Sequence, residues 1–285
     1  MKLIVGIIVV TGCVFGGYVL SNGNLAALWH PFEVLIIAGG ATGAFIIANP
    51  STTIKAVLKG FPALLKGNKY NKQTYMELLT LMYNLFAKAR KEGLMALEAD
   101  IDEPEQSDIF KEFPKLAKNH HLIEFICDYL RLMVGGNMNA FELESLMDLE
   151  LETHHHEAEK PSHAVTNTSD GLPGFGIVAA VLGVVITMGY ISEPPEVLGA
   201  KIGAALVGTF LGILLAYGFV GPMATAMGEQ AEEDRKLLEC AKTCIMATLN
   251  GYTPQIAVEF GRKALYSHLR PSFAELEEHI KNQKK

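Results

Sequence analysis

Residues 202–224, IGAALVGTFLGILLAYGFVGPMA, hold no Asp, Glu, Lys or Arg. A helix needs about 20 predominantly apolar residues to cross a bilayer. A helix on a soluble core keeps one face in water and has no use for so long an uncharged run. Three more stretches read the same way: Leu3–Leu20, Val34–Ile54 and Leu172–Ser192. They come as two pairs around a long charged middle, which predicts an all-α polytopic membrane protein with four transmembrane helices and a helical cytoplasmic domain. The expected division is 1–50 for transmembrane helices 1 and 2, 51–169 for the cytoplasmic helical domain, 170–224 for transmembrane helices 3 and 4, and 225–285 for a cytoplasmic helical tail.

Composition narrows the classes. A mean hydropathy of +0.23 with 49% hydrophobic residues suits a chain half in lipid and half in water. The net charge of -7 gives no support to nucleic-acid binding. Cys13, Cys127, Cys240 and Cys244 fall in one span and in segments read as cytosolic, so reduced packing residues are expected rather than disulfides or a metal site. Lys2 before an apolar run imitates a signal peptide. The run exceeds the usual h-region of about 7 to 15 residues and a second span follows at once, so no cleavage is expected.

Basic residues beside the spans set the orientation. The second span should end near Asn49 and Pro50, where Lys55, Lys59, Lys66, Lys69 and Lys72 follow with no acidic residue before Glu77. The short loops 21–31 and 193–200 carry no Lys or Arg. Both short loops therefore lie outside, and both termini and the middle lie in the cytoplasm. In the middle, Leu78, Leu79, Met82, Leu85, Phe86 and Ala89 recur at helical spacing and mark one buried face. Further helices are expected over His121–Gly135, from Ala140 to about His156, and from Thr225 to about Leu249, where Asn250 and Gly251 break the chain. A last helix should start near Ser272, which forms a Ser-x-x-Glu capping box with Glu275. The polar segment Pro161–Gly171, with Asn167, Ser169, Asp170 and Gly171, reads as a loop. The run His154–His156 followed by Glu157 reads as a solvated helix end, because neighbouring helix positions do not share a face.

Glycines recur at four-residue spacing in the spans: Gly12 and Gly16, Gly39 and Gly43, Gly199 and Gly203, Gly208 and Gly212. Such spacing lets helix backbones approach closely in lipid, and its density in the fourth span suggests an oligomer interface. A channel or pump usually keeps a charged residue inside the membrane, and none of the four stretches has an Asp, Glu, Lys or Arg. What remains is Thr209 in the run VGTFLGILL, with Pro173 and Pro222 at the cytoplasmic ends of spans three and four. A span threonine, such as Thr11, Thr42 or Thr187, usually bonds its own helix backbone. Pro173 reads equally as a first-turn proline, and Pro222 as a helix end or kink. These residues alone leave the function open.

Several strings carry a resemblance. LPGFGIVAAVLGVV (172–185) and ALVGTFLGILLAYGFVGP (205–222) resemble the third and fourth spans of the MotA family of flagellar stator subunits. So do VFGGYVL (14–20), the helix segment around Arg90 and Glu98, and NGYTPQIAVEFGRKALYS (250–267). The likeness extends over nearly the whole chain, including the layout of two spans, a long loop and two spans. The related energisers TolQ and ExbB resemble only the last two spans, and a TolQ/ExbB-type energiser of an outer-membrane system is the alternative. A membrane enzyme or lone transporter is a third class, disfavoured by the lack of a nucleophile motif, metal cluster or intramembrane charge.

The resemblance implies a non-enzymatic, proton-conducting subunit of the inner membrane, without cofactor or metal. It implies a homopentamer around two copies of a MotB-like single-span protein that brings the ion-binding aspartate, with torque applied to the rotor protein FliG. It further implies that Pro173, Ala180 and Thr209 line the ion pathway, that Pro222 is coupled to conformational change, and that Arg90 and Glu98 engage FliG. The last two are eight residues apart, which on one helix is an offset of about 80°. Sodium-driven relatives, the PomA type, carry threonine seven residues after the span-three proline, where this chain has Ala180.

Overall fold

The structure is a computed structural model that describes residues 2–67, 69–136 and 138–283. The described chain is helical throughout, apart from turns and caps. Four of its helical stretches are long and apolar enough to cross a membrane. Two compact units form: Met1–Gly67 with Ala158–Gln230, and Asn68–Glu157 with Ala231–Lys285.

In the first unit, α1 (Lys2–Leu20) and α2 (Pro31–Ala48) are the first two spans. Pro31 opens α2 at a position where its missing N–H costs nothing. The second span ends at Asn49 and Pro50 as expected, and α3 (Ser51–Lys66) begins at once.

In the second unit, α4 (Lys72–Glu92) starts with a reciprocal cap, the Asn71 side chain accepting from the Thr74 N–H. It stops at Gly93, whose φ of +91° favours glycine. The short helices α5 (Glu98–Asp102), α6 (Asp108–Lys111) and α7 (Pro114–Ala117) lead to α8 (His120–Gly135), which ends on Gly136 in the left-handed region. The apolar face read from the sequence is the core: Leu78, Leu79, Met82 and Leu85 are fully buried and pack with Phe125, Ile126 and Leu130 of α8.

Two long helices carry the last two spans. α9 runs from Ala140 to Met188, α10 from Pro195 to Ile213, and a π-helical segment, Leu214–Val220, joins α10 to α11 (Gly221–Leu249). Two expectations fail in α9. The segment Pro161–Gly171 is helix rather than loop, and His154–His156 lie within a helix rather than at its end. The hydroxyls of the segment bond helix backbones, while the turn formers Asn167 and Asp170 stand exposed on the helix. Thr166 Oγ1 donates to Ser162 O at 3.0 Å, Thr168 Oγ1 to Ala164 O at 2.8 Å and Ser162 Oγ to Ala224 O at 2.8 Å. Ala164, Val165, Ser169 and Leu172 recur at helical spacing and are buried.

The chain closes with α12 (Pro254–Ala264) and α13 (Phe273–Gln283). The capping box forms: Glu275 N–H donates to Ser272 Oγ at 3.2 Å, and Ser272 N–H to Glu275 Oε2 at 2.6 Å. With Lys72 Nζ at 2.7 Å from Glu275, the ammonium first and the Ser272 cap second hold that carboxyl down at about 2. Cys127, Cys240 and Cys244 are buried free thiols, and Cys240 Sγ donates to Gly261 O at 3.5 Å. These three pack in the core, whereas Cys13 of α1 is exposed.

Candidate functional site

Main-chain atoms of Leu172, Ala180 and Thr209 lie along one seam between α9 and α10, while Pro222 lies beyond it in α11. Small residues build it from both sides. A Cβ added to Gly212 would lie 2.8 Å from Leu172 O and 2.9 Å from Gly176 Cα. One added to Gly176 would lie 2.9 Å from Gly208 O, and one added to Gly183 would lie 2.7 Å from Ala205 Cβ. Lipid offers no hydrophobic drive for helix pairing, so backbone contact of this closeness supplies the dispersion that holds the two spans together. Gly208 and Gly212 are thus used inside the subunit, whereas Gly199 and Gly203 have nothing within 4 Å of a built Cβ.

The seam places three of the candidate pathway residues. Pro173 follows Leu172, whose carbonyl faces Gly212. Ala180 N lies 3.3 Å from a Cβ built on Gly208, and Thr209 Cα lies 3.4 Å from one built on Gly176. All three are half-buried. Thr187 Oγ1 donates back to Gly183 O at 2.8 Å, as expected of a span threonine. The Thr11 and Thr42 hydroxyls, expected to do the same, make no such bond among the described residues, and neither does that of Thr209.

Pro222 is exposed, two residues after the π-helical segment. Its position explains that segment. A proline inside a continuing helix removes one N–H and crowds the carbonyl four residues back. A π-turn relieves this by letting the Gly221 N–H reach Ala216 O, five residues back. Buried Ser169 of α9 donates to the same carbonyl at 2.9 Å. A Cβ on Gly221 would lie 3.0 Å from Ala216 O and 3.2 Å from Ser169 Oγ, so glycine is what fits there. Ser169 was hidden by the loop reading of its segment. Gly176 and Gly183 escape a search for four-residue glycine pairs because they are seven apart, with Ala179 and Ala180 between them.

Arg90 and Glu98 do not share a helix, contrary to their sequence spacing. Arg90 is in the last turn of α4 and Glu98 opens α5, with Gly93 and a 3-10 turn, Leu94–Leu97, between them. Both are exposed. The break is tied together two residues inward from each: Lys88 Nζ meets Asp100 Oδ2 at 2.6 Å, and Ser107 Oγ donates to Asp100 Oδ1 at 2.6 Å. That pair fixes α5 on α4 and presents both charges from one lobe. Arg90 also borders a groove of about 320 Å³ with Leu249, Tyr252 and Pro254.

Four helices apolar enough to cross a membrane, a glycine-built seam between the last two of them and a separate charged helical unit define a polytopic membrane protein. Comparison with known proteins makes this specific. Residues 4–93 match the motility protein A N-terminal family, and residues 115–239 the MotA/TolQ/ExbB proton channel family. The chain is 50% identical over 281 residues to motility protein A of Escherichia coli, covering 99% of this chain and 95% of that one. It is 38% identical over 283 residues to chemotaxis protein LafT of Vibrio parahaemolyticus, covering 99% of both. The structure of the flagellar MotAB stator complex from Bacillus subtilis superimposes with a TM-score of 0.75 at 28% identity, covering 96% of this chain and 98% of that one. The C. jejuni MotAB structure, at 20% identity, has the same fold, with a TM-score of 0.78 over 93% of this chain and 96% of that one. The chain belongs to the motility protein A family. It is a multi-pass flagellar stator subunit and not an enzyme.

Proposed function

We propose that this chain is the ring subunit of a proton-conducting, torque-generating stator. Five copies surround two copies of a MotB-like single-span partner in the cell inner membrane, with both termini in the cytoplasm, and the cytoplasmic unit acts on FliG. The observation that carries this reading is the α9–α10 seam, whose Thr209 hydroxyl is unbonded among the described residues, in spans whose charge-free stretches hold no Asp, Glu, Lys or Arg. Coupling a proton to movement needs a group that binds and releases it, so such a seam takes one from a partner. The solved relatives are MotAB complexes, which supports a MotB-like source.

In this mechanism Pro173, Ala180 and Thr209 flank the partner's carboxylate. A carboxylate held in an apolar surround is costly when ionised and tolerated when protonated, so each proton bound or released changes its fit against the ring. The membrane potential supplies about 2.3 kcal/mol per charge per 100 mV. Pro222, beside the π-helical segment, is the residue at which a change on the seam alters helix geometry, and the cytoplasmic helices deliver the torque.

Two experiments test this reading. The complex purified by co-expression with a MotB-like partner should show five cytoplasmic lobes by electron microscopy. A monomer or tetramer would refute the ring. Separately, Arg90→Glu and Glu98→Lys should each impair swimming while leaving expression and assembly intact. A compensating reversal on FliG should restore part of the speed, because opposite charges across an interface attract and like charges repel. Unchanged swimming in both variants would reduce the two residues to ordinary surface charge.

A further inference from the structure

The helix α3 carries a face that the seam does not use. It leaves the second span after only Asn49 and Pro50, so it starts where the lipid ends. One side is packed: Thr53, Val57 and Leu64 are buried, and Gly60 accommodates the Met227 side chain, whose Cε would lie 2.7 Å from an added Cβ. The opposite side holds Lys55, Leu58, Lys59, Pro62 and Leu65, all exposed. At 100° per residue they fall within an arc of about 120°.

This outer face suits neither water nor the lipid core. Leu58 is 65% and Leu65 51% exposed, an apolar display that an aqueous helix face does not favour. Beside them stand Lys55 and Lys59, which make no ion pair among the described residues. No Asp or Glu occurs between Glu33 and Glu77, so α3 has no carboxylate of its own to neutralise them. Elsewhere in this acidic chain, lysines such as Lys69, Lys72, Lys88 and Lys242 sit within 2.7 Å of a carboxylate. Interleaved leucines and unpaired lysines fit a bilayer surface. The leucines enter the acyl boundary while the lysine stems run along it and lift their ammonium groups to the headgroups.

We propose that the outer face of α3 is a docking surface for anionic phospholipid, with Lys55 and Lys59 holding headgroup phosphates and Leu58 and Leu65 seated in the acyl boundary. The inference needs only that the second span is in the membrane, and it stands or falls independently of the coupling ion and the rotor contact.

The test uses the full chain in vesicles. A photoactivatable phosphatidylglycerol should label the α3 peptide, and unlabelled phosphatidylglycerol should compete where phosphatidylcholine and inorganic phosphate do not. Lys55→Gln with Lys59→Gln should weaken labelling by about 5-fold per lysine, the weight of one cation beside an anionic membrane. Lys55→Arg with Lys59→Arg should retain it. Both lysines are exposed, so gel filtration should show both double variants eluting as the parent does. Equal competition by the two unlabelled lipids, or labelling unchanged in the glutamine variant, would overturn the proposal. So would competition by inorganic phosphate, which would indicate a free-anion site. A photocrosslinker at Leu58 that captures a second copy instead of lipid would give the face to a protein interface and equally overturn it.

Discussion

Gly212→Val should abolish swimming while the protein still reaches the membrane at normal levels. The added side chain starts from a Cβ 2.8 Å from Leu172 O and 2.9 Å from Gly176 Cα, both atoms of main chain. No rotamer change relieves a clash with backbone, so α9 and α10 must separate. Overpacking of this kind costs about 1–3 kcal/mol where neighbours can yield, and a helix backbone yields less than a side chain. Separation moves Pro173 away from Thr209 and lets lipid into the seam. Gly212→Ala, with the first carbon only, should retain partial motility. Gly6→Val adds the same bulk to α1 where nothing lies within 4 Å of a built Cβ, and should swim normally. Motility plates with immunoblots of the membrane fraction separate lost function from lost protein. A Gly212→Val strain that spreads at parental rate would show that the closeness of the seam does not serve the motor.

How much of this was legible beforehand follows from which physical effects a sequence displays. The spans were legible because a charge is expensive in lipid, and absence of charge over about 20 residues is visible in one line of sequence. The core face of α4 was legible for the same reason in reverse, since its apolar residues keep helical period in a charged segment. The Pro161–Gly171 segment was misread because serine, threonine and asparagine favour turns only while their hydroxyls and amides lack better partners. Thr166 and Thr168 found theirs on the preceding turn, and Ser162 and Ser169 on another helix. Those partners are tertiary facts. The π-helical segment depended on the same missing piece, because Pro222 forces a π-turn only if the helix continues past it. The separation of Arg90 from Glu98 was signalled by Gly93, whose positive φ ends α4. An eight-residue offset was counted across a helix that does not extend so far.

The coupling ion should be the proton, and the residue at issue is Ala180. Sodium must shed water and be repaid by several oxygen ligands, so a sodium stator needs hydroxyl or carbonyl groups beside the partner's carboxylate. A proton needs the carboxylate alone. At this seam the Ala180 main-chain N lies 3.3 Å from a Cβ built on Gly208, the neighbour of Thr209, and the residue carries a methyl group where sodium-driven relatives carry a hydroxyl. Thr209 is shared by both kinds and does not discriminate between them. Swimming should therefore persist in sodium-free medium and stop when a protonophore collapses the proton gradient. Each proton that enters is driven by about 2.3 kcal/mol per 100 mV, so tethered-cell rotation should slow in step with the proton motive force. Changing external sodium at fixed proton motive force should leave it unmoved. Rotation that tracks external sodium after the protonophore is added would assign the ion to sodium and place its ligands on groups other than residue 180.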